Sequence, residues 1–265
     1  MPVADRHSTH HESIGGLIGG AVRSCNVIQR IKNGSMTRFL CDTHVGRIHH
    51  ENQDRAIART IVGAEDLSLI AVADGISSCP FGGSVANWVI NEHVAIDSIE
   101  LAAGVSQESQ LRDYLEGLST EFRKSWADFP EMLMSGCCLS LATHYRGETH
   151  CFWVGDSPIF STAVIDGQYT TEQVSTPDSP GGSVINDWFG GTSRFRLKHI
   201  RLSSPCSIVT ITSDGAKYDA PMLSTAYQQL GFCDRLSEEI VREALLDPHA
   251  DDVSISAMQL DAASQ

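Results

Sequence analysis

The stretch at residues 69–78, LIAVADGISS, decides the fold. Five consecutive apolar residues lead directly to Asp74 and Gly75, and the chain then turns polar. A short apolar run that ends at such a turn pair is typical of a buried strand. The strand would therefore leave the core with a carboxylate at its tip, in a position where a polar group is half desolvated.

Three further aspartates stand at the ends of strongly apolar segments. They are Asp156 in WVGDS, Asp214 in SIVTITSDG and Asp251 in ADDVSISAMQL. A single Asp-Gly pair is usually only a turn. Several carboxylates at one rim would repel one another and raise each other's pKa values, and a hard cation such as Mg²⁺ or Mn²⁺ relieves that repulsion. The pattern predicts a metal site that includes Asp74, where Gly75 lets the backbone carbonyl approach the same ion.

The segment GRIHHENQD adds polar groups just before another strand. Asp54 is a fifth candidate carboxylate, and Gln53 offers an oxygen to metal-bound water. If residues 46–50 are extended, Arg47 and His49 face the same side, because side chains alternate along a strand. A cationic pair beside a metal cluster suits an anionic substrate, although basic residues of this kind more often form a solvated face.

Composition excludes several classes of protein. Apolar residues make up 42% and charged residues 20% of the 265 residues, as in ordinary globular proteins. No window has the roughly 18–20 apolar residues of a membrane span, and no secretory signal opens the sequence, so we expect a cytoplasmic protein. The eight cysteines form no CxxC pair, which argues against a zinc ribbon. A net charge of −14 disfavours a nucleic-acid partner.

Strand-like and helical patterns follow one another in blocks. The strand-like segments are CNVIQRI, TRFLCDTHVG, RAIARTIVG and LSLIAVAD, then SGCCLSLATHY, ETHCFWVGDS, PIFSTAVI, SRFRLKHIRL and CSIVTITSDG, and finally VSISAMQL. Apolar periodicity predicts two helices between the first two blocks, near residues 85–96 and 111–126, and one more at 234–246. This order predicts an α+β sandwich with mainly antiparallel sheets. Residues 1–22 are interpreted as a flexible leader and 23–265 as a single domain.

Taken in order, the motifs resemble a known family. GRIHHENQD, VADG, SGCC, VGDS, ITSDG and DDVSI, spread over roughly residues 46–260, are similar to the metal-dependent type 2C serine/threonine protein phosphatases in their compact bacterial form. Each motif is short, but their order and spacing together are specific. The resemblance implies a four-layer α-β-β-α sandwich in which two mainly antiparallel sheets are flanked by helices.

The resemblance also implies roles for the aspartates. Asp74 would bridge two Mg²⁺ or Mn²⁺ ions, and the carbonyl of Gly75 would bind one of them. Asp214 and Asp251 would bind the other ion, and Asp156 would hold a possible third ion together with Asp214. The implied activity is hydrolysis of phosphoserine or phosphothreonine by a metal-bridging hydroxide, on a phosphorylated protein that a bacterial serine/threonine kinase would supply.

Some positions depart from the family pattern. Gln53 stands where the family has Glu, although its amide can still meet a metal-bound water, and Asp54 would support the metal ligands from behind. His49 falls where the family has a phosphate-clamping Arg, and a neutral imidazole is a poorer clamp, so Arg47 is an alternative. Pro158 follows VGDS where the family usually has an Arg, and the segment ISSCPFGG lacks the common Gly-Gly-His. Many members carry a substrate-contacting flap between the VGDS and SDG motifs, and the short interval here implies a flap reduced to about residues 171–191.

Those departures leave a second hypothesis open, that of a weakened or inactive relative that binds metal or phosphopeptide. Other chemistries are disfavoured, since no GxSxG motif is present and Cys137 and Cys138 lack the CxxxxxR loop of cysteine phosphatases. His144 and His150 flank a predicted hairpin turn and are interpreted as surface residues.

Overall fold

The computed structural model describes most of the chain. The described segments are residues 28–30, 36–61, 67–94, 108–178, 185–191, 195–203 and 206–260. The predicted leader at residues 1–22 lies outside these segments. The assignment of residues 23–265 to one domain stays a prediction.

Twelve strands in the described residues form two antiparallel sheets. They are β1 Ile28–Arg30, β2 Met36–His44, β3 Arg55–Ile61, β4 Leu67–Gly75, β5 Gly136–Tyr145, β6 Glu148–Val154, β7 Ile159–Ile165, β8 Gln168–Gln173, β9 Phe189–Gly190, β10 Lys198–Arg201, β11 Ile208–Thr212 and β12 Val253–Gln259. The first sheet has the order β1-β2-β12-β11-β7-β8. The second has the order β10-β6-β5-β4-β3, and β9 pairs with β5 beside it. Every strand pair is antiparallel, as predicted.

The helices cover the outer faces of both sheets. They are α1 Gly82–Asn87, which continues as a π-helical turn Trp88–Val94, α2 Glu108–Ser125, α3 Pro130–Leu133, α4 Ala220–Leu230 and α5 Asp234–Ala244. Within the described residues, no helix is both long and apolar enough to cross a membrane.

The structure corrects the number of helices. Sequence patterns predicted one helix between the last two strands, but α4 precedes α5 there. Its start carries a capping signal that apolar periodicity does not include, since the side chain of Asp219 accepts a 2.9 Å hydrogen bond from the N–H of Met222, and Pro221 lies in the first turn. The final helix also ends at Ala244, two residues earlier than predicted.

Strand β4 shows why its five apolar residues are continuous. Leu69 and Ala71 point into the core between the second sheet and α1 and α2. Ile70 and Val72 point the other way, into the core between the two sheets. Because side chains alternate along a strand, a strand buried on both faces needs an unbroken apolar run.

A third group of buried apolar residues packs the two C-terminal helices onto the first sheet, and these helices are the fourth layer of the fold. Helices α4 and α5 pack Leu223, Tyr227, Leu236 and Ile240 against the outer face of the first sheet. The molecule is therefore an α-β-β-α sandwich, which confirms the predicted fold class.

Strand register gathers the polar strand ends at one end of the sandwich. The first residue of β3 lies opposite Ala73, so Asp54 comes beside the Asp74 end of β4. In the first sheet, Thr212 at the end of β11 lies opposite Ile255 near the start of β12. Since neighbouring antiparallel strands end and begin at the same edge, segments far apart in sequence meet there.

Candidate metal centre

Five carboxylates surround the end of β4. Asp74 is the last residue but one of that strand, Asp54 precedes β3, Asp156 follows β6, Asp214 follows β11 and Asp251 precedes β12. Burial raises the pKa of Asp74 well above its ordinary value, and the negative charges of the other four raise it further. The structure thus brings together all five predicted carboxylates.

Asp54 is the most deeply buried of them, with 1% of its surface exposed. Burial raises its pKa to about 7, with further contributions from the charges of Asp252 and Asp214, while the hydroxyls of Ser213 and Ser254 oppose the change. Its Oδ2 atom is buried without a hydrogen-bond partner. An unpaired buried carboxylate oxygen is costly unless a cation or a proton compensates it.

Asp214 lies at the exposed mouth of the cluster, where it opens a 3₁₀ turn, Asp214–Ala216. Desolvation raises its pKa, the charges of Asp156 and Asp251 raise it further, and a hydrogen bond with Asp74 lowers it. The cluster therefore runs from a buried floor at Asp54 to a solvent-facing rim at Asp214.

The donor set fits a hard divalent cation. Its members are carboxylates that destabilise one another's charged forms, and one of their oxygens is buried and unpaired. Mg²⁺ and Mn²⁺ prefer such oxygen ligands and remove this repulsion. Three further side chains, His49, Asp251 and Asp252, meet at the edge of the cluster. One possible ligand atom from each lies within 4.8 Å of the other two, which is close enough to share one metal ion.

Asp252 has a role that sequence reasoning did not assign. It is 3% exposed, its Oδ1 accepts a 2.7 Å hydrogen bond from the N–H of Gly46, and its Oδ2 accepts one of 2.6 Å from the N–H of Gln53. The carboxylate therefore holds both ends of the loop that carries His49. The signal available in the sequence was the second aspartate of DDVSI, directly before an apolar strand.

The structure corrects the expected pairing of Arg47 with His49. Residues 46–50 form bends and not a strand, so side-chain alternation does not place the two on one side. His49 Nδ1 lies 3.2 Å from Asp251 Oδ1 and 3.1 Å from Asp252 Oδ2. Arg47 instead donates from Nε to the carbonyl oxygen of Leu245, at 3.1 Å.

Gln53 and Gly75 adjoin Asp54 and Asp74 of the cluster in the chain. Gln53 donates its backbone N–H to Asp252, and its side-chain Oε1 is buried without a hydrogen-bond partner. Gly75 is the last residue of β4 and lies opposite Cys137 of β5. Their metal-binding roles stay predictions.

The loops that carry Asp214 and Asp251 are in close contact and hydrogen-bonded to each other. A Cβ on Gly215 would lie 2.0 Å from the carbonyl oxygen of Asp252, so only glycine allows this approach. Ser213 Oγ accepts a 2.8 Å hydrogen bond from the N–H of Ser254, and the N–H of Ser213 donates to the Ser254 carbonyl at 3.0 Å. These contacts fix the two carboxylate-bearing ends relative to each other.

The expected flap at residues 171–191 adjoins a strand at each end. Its first residues complete β8, and Phe189–Gly190 form β9, which pairs with Gly136 and Cys137 of β5. The described residues between these two strands, 174–178 and 185–188, belong to no strand, and a reduced flap over this segment stays a prediction.

Comparisons with known proteins agree with this architecture. The structure of an S. agalactiae serine/threonine phosphatase superposes with a TM-score of 0.70 at 16% identity, over 85% of this chain and 100% of that one. The Mycobacterium tuberculosis phosphatase PstP/Ppp gives 0.67 at 17% identity, over 84% and 98%. A PstP catalytic domain in complex with two manganese ions gives 0.66 at 17%, over 84% and 98%. At these identities the likeness concerns the fold.

Sequence comparison identifies the family itself. No curated protein matches significantly. A family model for protein phosphatase 2C matches residues 45–248, which contain Asp54, Asp74, Asp156 and Asp214. That match covers most of the chain, and the sandwich places these carboxylates together at one end. The chain belongs to the protein phosphatase 2C family.

Proposed function

We propose that this protein is a Mg²⁺- or Mn²⁺-dependent phosphatase that hydrolyses phosphoserine and phosphothreonine in proteins. One observation carries the proposal, namely that four carboxylates from separate loops all act on Asp74 at the end of β4. Unrelieved, this arrangement destabilises the fold. It is explained if the site exists to hold cations.

In this proposal Asp74, Asp214 and Asp251 hold two cations, and Asp156 contributes to a third position beside Asp214. Divalent cations, when bound, supply activated water at neutral pH and neutralise negative charge on phosphate. Asp54 lies behind these ligands and adds negative charge to the floor of the site.

Three side chains near the carboxylates are candidates to contact the substrate phosphate or water in the site. His49 lies at the rim, where the carboxylate of Asp252 holds its loop, and is the better placed of the two candidate phosphate contacts. Arg47 would have to leave the carbonyl of Leu245 to reach a phosphate. Gln53, with its unpaired Oε1, is placed to accept a hydrogen bond from water within the site.

We further propose that the substrate is a phosphorylated protein, the product of a bacterial serine/threonine kinase, and that the protein acts in the cytoplasm. All seven cysteines within the described residues are free thiols, which suits a reducing compartment. The excess of negative charge argues against nucleic acid as a substrate.

Hydrolysis of p-nitrophenyl phosphate and of a phosphothreonine peptide, each with Mn²⁺, Mg²⁺ or EDTA, tests the proposal. We expect turnover with metal, none with EDTA, and none in Asp74→Asn. The matched control is Asp166→Asn, an exposed aspartate in the β7–β8 turn, which should behave as wild type. Folded protein that binds Mn²⁺ without turnover would instead indicate an inactive, binding relative.

A further inference from the structure

The loop that carries Asp156 is held from two sides by groups that are not themselves metal-ligand candidates. On one side lies the thiol of Cys138, in the middle strand of the second sheet. On the other side lies the carboxylate of Asp178, in the segment that follows β8. The Asp178 contact is buried and the Cys138 contact is part-buried, and the family resemblance assigns neither residue as a metal ligand.

Cys138 reaches Asp156 directly. Its Sγ donates to Asp156 Oδ1 at 3.1 Å, and the residue is 1% exposed. Since Cys138 also lies opposite Asp74 in the β4–β5 pair, the same residue touches one carboxylate and flanks another.

Asp178 holds the loop through its backbone. Asp178 Oδ2 accepts a 3.0 Å hydrogen bond from the N–H of Gly155, and the N–H of Asp178 donates to the Gly155 carbonyl at 3.2 Å. The Asp178 side chain is 7% exposed and forms an ion pair with Lys198 on β10. Lys198 also donates to the carbonyl of Thr176 at 3.1 Å, so the pair ties strand β10 to the Asp156 loop.

The two contacts meet at Gly155. This residue has φ of +92°, and a Cβ on it would lie 2.4 Å from the sulfur of Cys138. Glycine therefore both adopts the required conformation and leaves room for the thiol to reach the next residue, Asp156.

We propose that Cys138 and Asp178 are positioning residues of the metal centre, which orient Asp156 and thereby set the affinity of the cation position that Asp156 serves. The inference rests on the proposed function, because it needs a cation at Asp156. Groups that orient metal ligands typically change metal affinity by about 10–100-fold when they are removed. Asp156 has one oxygen occupied by the thiol, which leaves the other for a cation.

Mn²⁺ titration of the full chain, with free Mn²⁺ followed by electron paramagnetic resonance, tests the inference without reference to activity. We expect Cys138→Ala to weaken the lowest-affinity Mn²⁺ position about tenfold or more, and Cys138→Ser to retain it, because the hydroxyl still donates. The matched control is Cys151→Ala, which removes an equally buried thiol from the core between the sheets and should leave Mn²⁺ binding unchanged.

Asp178 provides the second arm of the test. Asp178→Ala should weaken the same Mn²⁺ position about tenfold, and Asp178→Asn, which keeps an acceptor for Gly155, should weaken it less. If Asp178→Ala does not fold, the Cys138 series decides alone.

Wild-type affinity in folded Cys138→Ala would overturn the inference, and so would an equal loss in Cys151→Ala. Either result, with normal Mn²⁺ binding by the wild type, would leave the proposed function intact. A wild-type protein that binds no Mn²⁺ would overturn the proposed function and this inference together.

Discussion

Asp252 and Gln53 lie at opposite ends of the folded chain, yet the carboxylate of Asp252 accepts a 2.6 Å hydrogen bond from the backbone N–H of Gln53. The same carboxylate accepts the N–H of Gly46, so it closes the loop between these residues onto the start of β12. Asp251 next to it has a side chain that is 38% exposed and faces the cluster. Two consecutive aspartates therefore have different tasks, one structural and one at the proposed metal site.

Removing the Asp252 carboxylate should destabilise the protein. Asp252→Ala leaves the part-buried N–H groups of Gly46 and Gln53 without acceptors, at up to about 1–3 kcal/mol each. Urea unfolding of the metal-free protein should show this loss. Asp251→Ala should change the stability by less, about 1 kcal/mol, since its side chain is 38% exposed and accepts one hydrogen bond, from the N–H of Asp252. An equal loss in both variants would contradict the division of tasks.

Replacing Asp74 should separate stability from activity. Asp74→Asn replaces a carboxyl whose charged form is destabilised by burial and by four other carboxylates, so we expect the melting temperature of the metal-free protein to rise or stay unchanged while turnover and Mn²⁺ binding are lost. Calorimetry and the phosphatase assay measure the two effects. Undiminished turnover in this variant would rule out the metal mechanism.

The contribution of Asp54 to the stability of the metal-free protein should be lost as the pH rises. Burial raises the pKa of Asp54 from 3.8 to about 7, so the folded state binds this proton more tightly than the unfolded state. The stabilising contribution is therefore complete below about pH 4 and is lost as the pH approaches 7. Melting temperatures of the wild type and of Asp54→Asn in EDTA measure this contribution, and the wild type should lose stability relative to the variant as the pH rises from about 4 to 7. The same pH dependence in both proteins would contradict the assignment.

A histidine pair outside the metal site predicts the opposite pH dependence. His150 was expected at the surface, but its side chain is only 18% exposed, and its Nδ1 lies 3.0 Å from His199 Nε2. His199 Nδ1 lies 2.9 Å from Glu108 Oε1 at the start of α2. Burial lowers the pKa of His199, Glu108 opposes that change, and the charges of His150 and Arg112 add to it.

Because the unfolded state gains the His199 proton at higher pH than the folded state, stability should fall as the pH drops below about 6.5. The imidazole resonances of His150 and His199, followed by NMR, should show His199 titrating below its ordinary pKa. His199→Gln should remove this part of the pH dependence. Titration of His199 above the ordinary value would contradict the prediction.

Gly155 should tolerate alanine less well than another glycine of similar conformation. Gly147 has φ of +78° and no atom within 4 Å of the place that a Cβ would take, whereas a Cβ on Gly155 meets the Cys138 thiol. Both substitutions carry the left-handed penalty of about 1–2 kcal/mol, and overpacking adds about 1–3 kcal/mol at Gly155 alone. Urea unfolding of both variants measures the difference. Equal losses would show that the thiol contact does not constrain the loop.

Local patterns in the sequence predicted the framework of the site. Asp74, Asp214 and Asp251 were found because each adjoins an apolar run long enough to require burial, and the strands β4, β11 and β12 form at those runs. Helix α4 was missed although Asp219 and Pro221 signal its start, because apolar periodicity alone does not register capping residues.

The sequence by itself determined the strands, the sandwich and the aspartates at the strand ends, since burial and turn formation depend on neighbouring residues. Only the tertiary structure decided that Asp252 closes the 46–53 loop, that Arg47 turns to Leu245, and that Cys138 and Asp178 hold Asp156. The physical reason is that these contacts join segments distant in the chain. Such a hydrogen bond forms only where the fold brings its donor and acceptor together. The pattern of residues within one segment does not show which distant segment will lie beside it.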